Sequence, residues 1–328
     1  MIQRLLCYES AGFDPYTNLA IEKYLMDTLP QDACLLYLWQ NQNTVVIGRN
    51  QNPWVECRTT LLEQEGGKLA RRLSGGGAVF HDLGNLNFTF LTTEDNYDLN
   101  RQLSVIQTAC RLLGIDAVPS GRNDLLVNGA KFSGNAFYHS QGKAYHHGTL
   151  LINADMDKLS RYLSPSKAKL EAKGVQSVRS RVINLSQIVP GLTCDSMRLA
   201  MKEAFARVYG LFPTPFVPDS NFQESVCADA EINSSWQWLY GKQLPFSFQC
   251  ENRFSWGSIQ LQLDVRSGIV QAAKAYSDAM DWSLAPTLEQ ALTGIPFSLR
   301  EFQEAICAAQ LQGDIVKDLQ KFFKELIL

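Results

Sequence analysis

Two tight-turn signals close together constrain this chain more than any other feature. Asn128-Gly129 is a strong two-residue hairpin turn, and Gln141-Gly142 marks a second turn. Residues 123–127, 131–138 and 144–152 around them read as strands, so an antiparallel meander is expected. Upstream, 35–39 and 44–47 read as two strands joined in a hairpin by Gln40-Asn41-Gln42-Asn43, and 86–91 as another strand. Residues 18–27 predict an amphipathic helix capped by Thr17 or Asn18, 61–64 a short helix ending at Gly66-Gly67, and 102–113 a helix with Gly114 past its end. Further helices are predicted over 157–163, 167–173 and 197–209, and three prolines make 212–218 extended. Around residue 246 the pattern changes. Residues 246–250, 258–263 and 270–275 form a small meander with a turn at Arg266-Ser267-Gly268, followed by helical stretches near 299–311 and 314–326. The expectation is an α+β chain with a larger domain over 1–245 and a smaller one over 246–328.

Composition narrows the functional classes. Of 328 residues, 45% are hydrophobic and 19% charged, enough to build a real core. A formal net charge of −3 gives no general affinity for nucleic acid or anionic membrane. The N-terminus lacks a signal-peptide core, Glu9 and Asp14 come too early for a transit peptide, and the longest apolar run, 33–39, cannot span a bilayer. A cytoplasmic protein is expected; with no heptad repeat or obvious exposed apolar stripe the oligomeric state stays open, a monomer being the expectation. The eight cysteines are scattered, which excludes a local zinc cluster.

Four segments could carry chemistry. Arg71-Arg72-Leu73-Ser74-Gly75-Gly76-Gly77-Ala78-Val79-Phe80-His81-Asp82 places two arginines before three glycines. Such a loop loses much entropy on folding. It is either a flexible hairpin with a solvated basic flank or bare backbone shaped for phosphate or carboxylate oxygens, with arginine able to pair bidentately. No P-loop and no GxGxxG fingerprint occurs. The second segment holds Asp124 and Lys131 on neighbouring strands around the Asn128-Gly129 turn; taken alone, Lys131 could be an ordinary surface lysine. In the third, His146-His147-Gly148-Thr149, adjacent strand residues point to opposite faces, so the two histidines cannot share one metal. One is expected to face the site or core and the other solvent. The fourth lies in a basic run: between Lys158 and Arg181 there are seven Lys or Arg and one acid, Glu171. It reads as a solvated helix face, an anion-gripping loop or a dock for an acidic partner.

Taken together, these segments resemble the lipoate–protein ligases. The resemblance rests on the arginine–glycine segment through Asn85, on Ser120-Gly121-Arg122-Asn123-Asp124-Leu125, on Lys131-Phe132-Ser133-Gly134, on His146-His147-Gly148-Thr149, and on residues 173–182. It extends to Ile47-Gly48-Arg49-Asn50 and to Arg253-Phe254-Ser255-Trp256-Gly257, and so covers essentially the whole chain in the manner of the long, two-domain bacterial form. It implies a mixed, largely antiparallel sheet flanked by helices, of the type shared with biotin ligases, plus a small α+β C-terminal domain that moves during the cycle. The implied activity is ATP-dependent formation of lipoyl-AMP, with Mg2+, and transfer of the lipoyl group to a lysine of apo lipoyl domains, those of 2-oxoacid dehydrogenase E2 subunits and the glycine cleavage H protein.

Position by position, the resemblance gives Lys131 the catalytic role. It assigns Arg72, Gly77, Ala78, Val79, Phe80, Asp124 and Lys131 to ATP, and Arg72, Ser74, Gly76, His81, Lys131 and His147 to lipoate. It assigns Val178, Arg179 and Ser180 to an adenylate-binding loop. Leu73 stands where relatives can be basic, and Asn135 where they are often small. A same-fold acyl transferase would need a nucleophilic cysteine near the lysine segment, and none occurs between Cys110 and Cys194. A biotin ligase would carry a different glycine–arginine signature. A non-catalytic lipoate or lipoyl-domain binder would not need both Arg72 and Lys131.

Overall fold

The computed structural model describes residues 1–120, 124–163, 182–240, 248–266 and 268–326. In chain order the elements are β1 (Arg4–Glu9), α1 (Pro15–Thr28), β2 (Ala33–Trp39), β3 (Thr44–Ile47), α2 (Pro53–Glu56), α3 (Thr59–Gln64), β4 (Lys68–Arg71), β5 (Val79–His81) and β6 (Asn85–Thr93). Then come α4 (Leu99–Leu112), β7 (Val118–Ser120), β8 (Asp124–Val127), β9 (Ala130–Ser140), β10 (Lys143–Leu151), α5 (Met156–Tyr162), α6 (Cys194–Tyr209), β11 (Pro213–Pro215), α7 (Phe222–Ser234) and α8 (Trp236–Tyr240). The last part holds β12 (Phe248–Phe254), β13 (Gly257–Arg266), β14 (Ile269–Ser277), α9 (Leu284–Leu292), α10 (Leu299–Ala308) and α11 (Gly313–Leu326).

The main sheet has eight strands in the order β11-β1-β2-β6-β10-β9-β8-β7. The meander read from the turn signals supplies three neighbouring strands, β10, β9 and β8, toward the β7 edge. Asn128 (φ 51°) and Gly129 (φ 77°) both take the left-handed conformation that a two-residue hairpin of this twist demands. The sheet is mixed because β1 runs parallel to both β2 and β11. A second, three-stranded sheet, β4-β3-β5, stands apart from it.

The sheet is covered on both sides, which decides how its strands read. One face packs on α4 and α6, through Val105, Ile106, Ala109, Met201, Ala204 and Phe205. The other packs on α1 and the small sheet, through Leu19, Tyr24, Leu25, Val46 and Ala70. All seven residues of β2 are therefore buried, and the strand is a continuous apolar run rather than an alternating one. A separate cluster lies under the small sheet, where Phe80, Leu62, Tyr162 and Leu239 meet. The third sheet, β12-β13-β14, packs on α9 to α11 around its own core of Leu261, Leu263, Leu288, Phe302 and Phe323.

Several expectations need correction. The strands at 35–39 and 44–47 form no hairpin: β2 lies in the main sheet and β3 in the small one, paired to β4 and β5. Their partners are remote in sequence, so no local signal marks them. The cap of α1 is Asp14, which accepts from the backbone N–H groups of Tyr16 and Thr17, not Thr17 or Asn18. Strand β1 and helices α7, α8 and α9 were not expected. The helix read at 167–173 lies outside the described residues, as does most of the basic run. No helix among the described residues is long and apolar enough to cross a membrane.

Candidate functional site

The site grows from the loop between β4 and β5, where the chain leaves the small sheet and turns over the main one. Arg72 is buried and holds that loop around itself. Its Nε donates to Ser74 Oγ at 3.0 Å and to the Gly75 carbonyl at 3.1 Å. Its terminal nitrogens reach the carbonyls of Val46, Gly75 and Gly77 at 3.2, 2.7 and 2.8 Å. Burial pushes the guanidinium down to about 10, which leaves it charged at neutral pH. The glycines have distinct reasons. Gly76 has φ +89°, and a Cβ at Gly75 would lie 2.4 Å from the Ala279 carbonyl oxygen.

Arg71 behaves differently from the paired anion clamp the sequence suggested. Its guanidinium donates to the carbonyls of Gly48, Arg49, Gln51, Trp238 and Leu239. It is a structural tie between the small sheet and α8, and only Arg72 of the two lies in the loop.

Ser74 leads into a chain of buried polar groups. Its Oγ is 2.7 Å from His147 Nε2, and His147 Nδ1 is 2.8 Å from Glu22 Oε1. The same Glu22 oxygen accepts from Thr89 Oγ1 at 2.7 Å, and Thr89 Oγ1 accepts from Trp39 Nε1 at 3.1 Å. His147 therefore faces α1 and the loop. His146 does not face solvent, as expected for one of the two; it is fully buried on the α4 side, against Gln102 at 3.1 Å and Asn135 at 2.8 Å. The reason is that the sheet has no solvent face here. Asn135 fills its position with a hydrogen-bonding side chain.

His81 ends β5 beside Trp39, with Nδ1 3.2 Å from the Asn41 amide. Its Nε2 is buried with no partner among the described residues. Burial, with the Arg72 guanidinium nearby, pushes it down to about 3, so the ring is neutral at physiological pH. An orphaned, buried, neutral ring nitrogen suits a polar ligand atom. Gly77 borders open space, Ala78 and Val79 are half-buried, and the Phe80 side chain belongs to the core against Tyr162, so only its backbone can serve a ligand.

Lys131 and Asp124 form a second group, joined by an ion pair of 2.6 Å, each about one-third exposed. A β-bulge places them. Leu126 pairs with Lys131 but Leu125 pairs with Ser133, so Phe132 is an extra residue in β9. His147 sits opposite Ala136. Lys131 is an odd number of residues from Ala136, and in a regular strand it would point to the opposite face. The bulge restores it to the face of His147. Gly134 is the residue beside it, where a Cβ would lie 2.9 Å from Lys131 Nζ. The room that small residues leave here is taken first by the lysine itself. The chain returns from the undescribed stretch at Val182, bridged to Lys131, with Ile183 N donating to the Lys131 carbonyl at 2.9 Å. Val178, Arg179 and Ser180 lie outside the described residues.

The C-terminal part closes over the loop. Gly76 N–H donates to the Ala279 carbonyl at 3.0 Å and Ser277 N–H to the Asn50 carbonyl at 2.8 Å. Trp282 packs against Tyr138 in a tilted ring contact and lies under the Arg49 guanidinium. Sequence reasoning missed Glu22, Asn41, Thr89 and this contact. Glu22 did leave a signal: it is three residues from both Leu19 and Leu25, a carboxylate on the apolar face of its helix.

Comparison with known proteins matches residues 14–206 to the family described as lipoyl protein ligase A/B catalytic domain, and residues 243–327 to the bacterial lipoate protein ligase C-terminus. A lipoate-protein ligase A of Blochmanniella pennsylvanica is 43% identical over 303 residues, covering 90% of this chain and 89% of its own. One of Psychrobacter cryohalolentis is 41% identical over 310 residues, covering 92% and 91%. Among solved structures, P. falciparum LipL1 in complex with lipoate has a TM-score of 0.84 at 27% identity, covering 97% of this chain and 98% of that one. A lipoate-protein ligase A bound with ATP has a TM-score of 0.63 at 26% identity, covering 73% and 98%. A bipartite archaeal ligase of Thermoplasma acidophilum, studied with its E2 lipoyl domain, has 0.65 at 26%, covering 76% and 100%.

Proposed function

Because this chain belongs to the lipoate–protein ligase A family, we propose that it joins lipoate to lysines of apo lipoyl domains at the expense of ATP, through the residues of this site. In the first step a lipoate carboxylate oxygen attacks the α-phosphorus of ATP, forming lipoyl-AMP, and pyrophosphate leaves. In the second, the neutral ε-amine of a carrier lysine attacks the acyl carbon; an amide forms, AMP leaves with the electron pair of the acyl–oxygen bond, and the amine loses a proton.

The observation that carries this reading is two cations on one face of the sheet, Arg72 under the glycine loop and Lys131 on the bulged strand. A carboxylate, with a reference pKa of about 4.3, is already ionised at neutral pH, so adenylation needs no general base. It needs two anions held in line, which cationic and N–H donors can do. In this assignment substrate oxygens replace the Gly75 and Gly77 carbonyls at Arg72, and Lys131 bridges the lipoate carboxyl and the α-phosphate. Gly77, Ala78, Val79 and Phe80 offer backbone to the nucleotide. Ser74, Gly76, His81 and His147 line the lipoate side, with the free His81 Nε2 as a polar contact. Asp124 keeps Lys131 in place. As acceptors of the amine proton, Asp124 and His147 are both engaged in this state; wild-type transfer from preformed lipoyl-adenylate by both single variants would remove them from that role.

Mg2+ is part of the proposal. Among the described residues no group of three His, Cys, Asp or Glu could cage an ion. A magnesium carried mainly on nucleotide phosphates keeps most of its waters and needs one or two carboxylates at most, so the proposal does not require such a cage. Bound there, it would neutralise charge on the departing pyrophosphate. The carriers we propose are lipoyl domains of 2-oxoacid dehydrogenase E2 subunits and the glycine cleavage H protein, met by a monomeric ligase. Incubating an apo lipoyl domain with protein, lipoate, ATP and magnesium tests the reading. A lipoyl adduct that needs ATP supports it, and an adduct formed only from an acyl-carrier donor would replace it with a transferase.

A further inference from the structure

Glu22 lies on α1 with 2% of its surface exposed, inside an apolar cluster of Leu19, Ile21, Leu25 and Tyr37. A carboxylate in such a place is costly unless every lone pair it buries is used. Its Oε1 is used twice, by Thr89 Oγ1 at 2.7 Å and by His147 Nδ1 at 2.8 Å. The direction of each bond follows from donor chemistry. The Trp39 indole only donates, so Thr89 Oγ1 accepts from it and gives its own hydrogen to Glu22. Glu22 Oε1 accepts the Thr89 hydrogen, and acting as an acceptor toward His147 as well it leaves the hydrogen on Nδ1. In the neutral ring Nε2 is then an acceptor, and it takes the Ser74 hydroxyl hydrogen at 2.7 Å. The Ser74 oxygen is left with its lone pairs for Arg72 Nε, which donates to it at 3.0 Å.

We infer that Glu22 is a positioning residue for adenylate formation: through the His147 tautomer and Ser74 it fixes the Arg72 guanidinium against the ligand face. The inference rests on the ligase reading and adds to it a residue that acts through His147 and Ser74. Arg72 is held directly by β3 and the glycine loop and, through Ser74, by β10, α1 and β6, so its orientation is set before ligand arrives. Preorganisation of this kind acts on turnover more than on binding.

The experiment reads the tautomer and the reaction separately. Imidazole 15N NMR of the full chain reports which ring nitrogen of His147 carries hydrogen; lipoate-dependent ATP–pyrophosphate exchange reports adenylation. In the wild type, His147 is expected to hold hydrogen on Nδ1 alone. Glu22→Leu keeps the volume but removes the acceptor, so the hydrogen moves to Nε2 and kcat for exchange falls about 10- to 100-fold, with KM for ATP little changed. Glu22→Gln keeps an acceptor oxygen and retains the wild-type tautomer with activity within about threefold. In a Ser74→Ala background, Glu22→Leu costs little more, because the relay is already cut. A wild-type ring with hydrogen on Nε2 overturns the inference without any variant, which guards against Glu22→Leu failing to fold. Equal losses in Glu22→Gln and Glu22→Leu, or fully multiplicative losses with Ser74→Ala, overturn it too. If the wild type catalyses no lipoate-dependent exchange, the ligase reading fails while the tautomer result stands.

Discussion

At the scale of single residues, two kinds of burial do different jobs. Lys131 is only partly buried and ion-paired, so it can exchange Asp124 for a substrate anion. Lys131→Ala should cost both half-reactions roughly 3–4 kcal/mol, the loss typical of one preorganised donor. Measuring adenylate formation and transfer from preformed lipoyl-adenylate separately checks this; near-normal turnover in either would refute it. His81 and His146 are buried neutral, each pushed down to about 3 from 6.5 by loss of water around the charged form. Between those values the unfolded chain binds protons that the folded rings refuse. Their stabilisation is therefore complete above about pH 6.5 and is lost as pH falls toward 3. Each ring contributes up to about 1.4 kcal/mol per pH unit in that window. Urea unfolding from pH 7.5 to 4.5 should show the decline, and His146→Asn should make it shallower; an unchanged slope in the variant would count against a neutral buried ring.

At the scale of elements, the bulge in β9 and the glycine loop decide the geometry. One extra residue, Phe132, turns Lys131 to the face that carries His147. Gly75 lets the segment 277–282 approach: a Cβ there would meet the Ala279 oxygen at 2.4 Å. Gly75→Ala should push that segment off the loop, and faster amide hydrogen exchange at Gly76 and Ser277 would report it; wild-type protection at both would contradict the contact. Much at this scale was legible. The Asn128-Gly129 hairpin, α4, α6 and the C-terminal meander follow from local turn chemistry and periodicity, and the Arg72 and Lys131 segments stood out as motifs. What was not legible depends on remote partners. Nothing near residues 35–47 says that β2 and β3 part into different sheets. Nothing near Arg71 says that the carbonyls of Trp238 and Leu239 occupy it. His146 was misjudged because a strand does not reveal that both faces of its sheet are covered. Glu22 was legible in principle, as the one charge on an apolar helical face, but its partner is 125 positions away.

At the scale of the molecule, the cores suggest how the chain divides. The buried residues of three clusters lie between 5 and 239, while those of the fourth lie between 250 and 323. We propose a catalytic domain over 1–245 and an accessory domain over 246–328. A chain ending at residue 245 should keep its sheet and helices, seen as retained circular dichroism and a cooperative melt; a molten product would mean that the C-terminal contacts at Gly76 and Asn50 are needed for folding. The central claim, that this site activates lipoate with ATP and passes it on, is tested most directly by the intact mass of an apo lipoyl domain after incubation with the protein, lipoate, ATP and magnesium, beside an ATP-free control. The account predicts a lipoyl adduct in the first sample only. Equal adducts in both, or none with ATP present, would contradict it.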